Sequence, residues 1–165
     1  MLKPHCRRFS IENGLRRVAL AIFMCLCATL CGCGRGAPRF VSEKQFKANA
    51  AAQTGASLQT LGQLRRHGVA ETDALRVRFF FYTDARQKAT ALSGVLEGLD
   101  YSVEIRPSPN DEKRFLVTGW STAMPMADLL VAAWTWEMCE VGYDHDCVFD
   151  GWGTNPPEQQ GREEK

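Results

Sequence analysis

The sequence predicts an α+β domain of the ferredoxin-like kind: a βαββαβ antiparallel sheet with an extra N-terminal helix in front. Three observations point there. Leu75 to Thr83, "LRVRFFFYT", alternates its apolar residues over a strand-length run. Two stretches with apolar residues at steps of three and four follow the first and third strand-like segments. Between those stretches, two alternating segments are separated by the turn-rich "RPSPNDEK".

The elements follow in order. From Glu43 to His67, the residues Phe46, Ala50, Leu58, Leu61 and Leu64 are apolar anchors of a helix. Ser42 stands at its N-cap and Gly68 where a terminating glycine belongs. Gly55 and Gly62 argue against one unbroken helix. In the first strand Leu75, Val77, Phe79 and Phe81 share one face, and Arg76, Arg78, Phe80 and Tyr82 the other. Asp84 then caps a helix carrying Ala85, Ala89, Leu92, Leu96 and Leu99 inward. Tyr101, Val103 and Ile105 alternate in a second strand, and "RFLVTGW" makes the third. Pro125 opens a second helix with Met126, Leu130, Ala133, Trp134, Met138 and Val141 inward. Asp146 to Asp150 forms a last short strand with Cys147 and Phe149 on one face. A sheet of this kind leaves its second face open, and the leading helix is expected to cover it.

The start of the chain reads as a leader. Lys3, Arg7, Arg8, Arg16 and Arg17 precede an uncharged apolar run of 13 residues, Val18 to Leu30. That run is short for a spanning helix, which needs about 20 residues, and suits a signal peptide. It runs into "LCGC", Leu30 to Cys33, which resembles a bacterial lipobox. Cleavage before Cys33 would leave its thiol carrying a diacylglyceryl group, and more than one acyl chain anchors stably at a membrane. An uncleaved N-terminal anchor and an ordinary signal peptide are the alternatives. The expected organisation is a signal peptide over 1–32, a Gly- and Pro-containing tether over 33–42, one domain over 43–154 and a polar tail over 155–165.

Charge and cysteine usage narrow the chemistry. Beyond Cys33 the chain holds 15 basic and 18 acidic residues, out of 20 and 19 in all. A slightly acidic body does not suit nucleic-acid binding. Phe80, Tyr82 and Trp120, flanked by Arg76 and Arg78, could stack bases on an open sheet, but "RFLVTGW" lacks the corresponding RNA-binding pattern. No direct nucleic-acid contact is expected. Five of the seven cysteines lie in the leader, leaving Cys139 and Cys147. In an exported protein these two are disulfide candidates; buried free thiols are the alternative, and a metal site with His145 is the third. No phosphate loop, nucleophile elbow or metal motif is present, so no catalytic residue, metal or cofactor is expected. Acidic residues gather toward the C-terminal end, from Glu137 to Asp150, beside Trp152. They point to a protein partner with a basic patch around an apolar pocket. Trp152, Asp150, Asp146 and Glu140 are the partner-binding candidates. For Trp152 the favoured role is structural, folding back to plug the end of the sheet, and an anchor for a protein partner is the alternative.

The element order, the "FFFYTD" first strand and the closing "FDGWGT", Phe149 to Thr154, resemble the regulator of ribonuclease E activity B (RraB) domain family. The resemblance spans Glu43 to Thr154. It implies a small non-enzymatic protein that binds ribonuclease E and inhibits RNA cleavage by contact. The leader implies display as an envelope lipoprotein, away from ribonuclease E, with a different protein partner. A cytoplasmic-facing ribonuclease E inhibitor is the alternative if the leader is not exported.

Overall fold

A computed structural model of the protein describes residues 39–154. The expected signal peptide, Cys33, most of the tether and the polar tail lie outside the described residues. A helix α1 (Glu43–Arg66) is followed by strands β1 (Ala74–Leu75) and β2 (Arg78–Thr83), then α2 (Arg86–Glu97) and β3 (Ser102–Pro107). β4 (Phe115–Trp120), β5 (Met124–Pro125), α3 (Asp128–Asp144) and β6 (Val148–Gly153) complete it. The main sheet has the order β3-β4-β2-β6 with every neighbour antiparallel. Its two βαβ units each skip a strand position, which is the split arrangement expected.

The core forms where apolar alternation meets the helices. Phe79 and Phe81 of β2, Val117 of β4 and Phe149 of β6 pack with Leu92 and Leu96 of α2 and Met138 of α3. Ala50 and Leu61 of α1 join the same cluster. The long first strand is broken: β1 pairs only with β5, and Arg76 and Val77 lie between β1 and β2. Ser121 bridges the break, its Oγ accepting from the Val77 amide at 3.1 Å while its own amide donates to Val77 O at 2.9 Å.

Several local expectations hold and several change. Ser42 and Gln45 form a reciprocal capping box at the start of α1. Gly68 follows the helix with φ +86°, the left-handed turn that a glycine permits. Despite Gly55 and Gly62, α1 is one continuous helix, because Ala50, Ser57 and Leu61 hold its buried face around Gly55 and half-buried Leu64 packs on the core beyond Gly62. Asp84 does not cap α2. The N-cap position is Ala85, and the Asp84 carboxylate instead pairs with Lys88 at 2.7 Å. Pro125 does not open α3; it sits opposite Ala74 in the β1–β5 ribbon, and α3 begins at Asp128. The inward face of α3 is Val131, Trp134, Thr135, Met138, Cys139 and Gly142, so Leu130 and Ala133 turn outward.

The largest correction concerns α1. It packs against α3 and against edge strand β6, not over the second face of the sheet. The reason lies in its sequence. Its one buried stripe, Ala50–Ser57–Leu61, is matched by α3, and two amide side chains reach the β6 edge. Asn49 Nδ2 donates to Phe149 O at 2.7 Å, satisfying a carbonyl on that edge. Phe80, Tyr82 and Trp120 on the second face stay half-buried.

Candidate functional site

The site is built around an irregularity in β6. Opposite β2, Phe81 pairs with Phe149 and Phe80 with Gly151, so Asp150 has no partner and forms a bulge. In an unbroken strand, residues three apart point to opposite faces. The extra residue cancels that parity. Phe149 and Trp152, paired with Phe81 and Phe79, therefore both face the core side. Gly151 makes the bend possible with φ +113°, a conformation L side chains rarely adopt. It also leaves room for α1: a Cβ at Gly151 would stand 3.0 Å from Gln53 Oε1.

Trp152 is wedged between α1 and α3. Its indole N–H donates to Ser57 Oγ at 2.8 Å, and its ring meets Trp134 edge-on with centroids 6.4 Å apart. Ser57 Oγ also lies 2.9 Å from Gln53 O and 2.8 Å from Thr135 Oγ1. One assignment satisfies every group: Ser57 donates to Gln53 O and accepts from the Trp152 indole and the Thr135 hydroxyl. The polar edge of a large aromatic is thus tied to the buried hydroxyl of Ser57 at a junction of two helices and a strand.

Outside this junction lies a cleft of about 320 Å³, lined by Gln53, Ala56, Ser57, Thr60, Phe80, Asp150, Gly151 and Trp152. Asp150 reaches solvent at its rim, yet the cleft wall removes enough water to raise the carboxyl above its usual range. Phe80 supplies an apolar wall, with the Arg78 guanidinium 5.7 Å from its ring centre. Such a cleft combines a carboxylate, an amide, hydroxyls and an aromatic face, a set suited to side chains of a protein ligand.

The structure brings Trp152 and Asp150 together and separates the other candidates from them. Asp146 sits in the turn between α3 and β6 with φ +56°. Its carboxylate accepts from the amides of Phe40 and Val41 at 2.9 and 2.8 Å, and lies 2.7 Å from Lys88 Nζ and 3.6 Å from Arg39 Nε. Burial works against its ionised form, but the Lys88 contact, the two amides and the Lys88 charge outweigh it and bring the pKa down to about 2. With Val41 buried as well, the last residues of the expected tether are fastened to the domain. Asp146 is a clasp for the entering chain. Glu140 lies exposed on α3.

Cys139 and Cys147 are both buried, and both are free thiols in this structure. Burial pushes Cys139 up to about 12, with the Glu140 charge adding to it. Burial likewise carries Cys147 up to about 11 although Thr83 pulls the other way. His145 Nδ1 lies 2.9 Å from Val141 O at the end of α3. No group of acidic, His and Cys side chains that could hold a metal is present among the described residues.

Sequence reasoning missed the α1 half of the cleft. Leu58 looked like an anchor and is 44% exposed, whereas Ser57 is 2% exposed. The usable signal was spacing: Ser57 falls seven residues after Ala50 and four before Leu61, a hydroxyl on the apolar stripe.

Comparison with known proteins bears on the same region. The family model described as regulator of ribonuclease activity B (RraB) matches residues 55–154, beginning inside α1 and ending just past β6. No curated protein matches the chain.

Proposed function

Because this chain belongs to the regulator of ribonuclease activity B family, we propose that it is a non-enzymatic regulatory domain that acts by binding a protein partner. The observation that carries this reading is the match itself, which covers the whole sheet and closes on the bulged Asp150–Gly151–Trp152 segment. The cleft beside that segment is the contact region we assign to the partner. Regulation by contact needs a shaped surface and no convergent catalytic groups.

The leader favours an envelope location, with Cys33 as the lipid-bearing residue and a partner other than ribonuclease E. The family description, a regulator of ribonuclease activity, supports the second reading: a cytoplasmic-facing inhibitor of ribonuclease E. Metabolic labelling with a palmitate analogue separates them. Labelling of the wild-type chain and its loss in Cys33→Ser are expected for the lipoprotein. Equal labelling of the two removes the lipid anchor, and recovery of unprocessed chain with its domain in the cytoplasm restores ribonuclease E as the partner.

A further inference from the structure

We propose a second interaction surface, the outer face of α3, that docks a basic amphipathic helix of a protein partner. Two independent features of that face converge. Leu129 is 86% exposed, Leu130 52% and Trp136 42%, with exposed Ala133 between them. Leu129, Ala133 and Trp136 recur at steps of four and three, so they form one stripe along the helix. The opposite face of α3 is buried in the core, so the helix is apolar on both sides. A contiguous exposed apolar stripe of this kind marks an interaction site, and tryptophan is among the residues that dominate binding energy.

Charge then selects the occupant. α3 carries four carboxylates and no lysine, arginine or histidine. Glu140 continues the stripe one turn beyond Trp136, and Glu137 flanks it; both are exposed, and neither has an ion pair among the described residues. A ligand that covers the apolar residues must therefore place cations beside Glu137 and Glu140. A second copy of the same helix carries no cation to offer either carboxylate, and an anionic lipid surface would be repelled. The fit is an apolar stripe edged by Lys or Arg, laid along the helix. This surface is separate from the cleft and rests on the protein-binding reading only in requiring a protein partner.

The test uses the full chain in the cells that make it, with a photo-crosslinking amino acid at Leu129 or, as a separate probe of the cleft, at Thr60. The expected result is a protein adduct at Leu129 whose linked peptide, sequenced by mass spectrometry, carries apolar residues at helical spacing interleaved with Lys or Arg. The double variant Glu137→Lys/Glu140→Lys alters only exposed positions and should lower that adduct at least about tenfold, with the melting temperature and the Thr60 adduct unchanged. A neutral or acidic linked peptide overturns the proposal, as does α3 of a second copy or a lipid adduct. An adduct at Thr60 with none at Leu129 overturns this face alone and leaves the protein-binding reading standing. No adduct at either position removes both.

Discussion

Trp152 and Ser57, 95 residues apart in sequence, are joined by a hydrogen bond of 2.8 Å from the indole nitrogen to the serine hydroxyl. The contact ties the end of the last strand to the middle of the first helix. It defines what the tryptophan of "DGWG" does in the folded chain: its ring packs on Trp134 and its polar edge is satisfied inside the junction.

Removing either partner should therefore cost stability. Ser57→Ala strips the acceptor from the Trp152 indole and the Thr135 hydroxyl together, and should destabilise by about 1–3 kcal/mol in urea unfolding. Trp152→Ala should cost about 3 kcal/mol or more, the range for truncating a large packed aromatic. A loss below about 0.5 kcal/mol for both would show that the junction carries no packing energy.

Gly151→Ala should destabilise by about 1–3 kcal/mol, through the backbone conformation at φ +113°. The neighbouring Gln53 side chain is flexible, so adding Gln53→Ala relieves the 3.0 Å approach but not the backbone strain. The double variant should recover only a minor part of the loss. Full recovery would place the whole effect in the side-chain contact.

Asp146 sets an acid limit. Its folded pKa of about 2 lies below the ordinary value of 3.8, so the unfolded chain takes up the proton first as pH falls. The stabilisation is complete above about pH 5, and is lost as pH falls through the unfolded and then the folded value. It amounts to something on the order of 2 kcal/mol. Asp146→Asn should lose a similar amount at pH 7 and should flatten the acid limb of the stability curve. An unchanged limb would assign acid unfolding to other carboxylates.

Cys139 and Cys147 should behave as inert thiols. With pKa values raised from 9.0 to about 12 and about 11, their thiolate populations near pH 8 fall by about a thousandfold and a hundredfold. Iodoacetamide should leave both unmodified in the native protein and label both after unfolding without reductant. Resistance of both in the unfolded, unreduced protein would instead identify a Cys139–Cys147 disulfide. The same shifts give stability a downward slope as pH rises above about 9, because the unfolded chain then releases protons that the folded one keeps.

How much of this was legible from the residues differs by element. The α+β order, the inward run of Leu75, Val77, Phe79 and Phe81, and the Ser42 cap are local patterns. Each depends on neighbours within a few positions, and each is found where the pattern puts it. Where the local rule met a tertiary competitor, the competitor won. Pro125 has the conformation for a helix start but pairs with Ala74, and Asp84 has the chemistry of a cap but is drawn to Lys88. The cleft was half visible: Asp150 and Trp152 stood out as an unusual strand ending, while Ser57, Gln53 and Thr60 lay in a helix with no sign of the strand they face.

The sequence by itself determined the periods of its helices and strands, and with them the split βαβ sheet and the residues that must be buried. Periodicity is a property of one segment, and burial of apolar side chains rewards it whatever lies opposite. Only the tertiary structure decided which faces meet. It set α1 on α3 and the β6 edge, made Asp146 a clasp for the incoming chain, and left Leu129 in solvent and Trp136 half-exposed with its ring edge-on to Phe46. It also turned Trp152 inward, because one unpaired residue at Asp150 reverses the parity of the strand, and that residue is unpaired only against the register of β2.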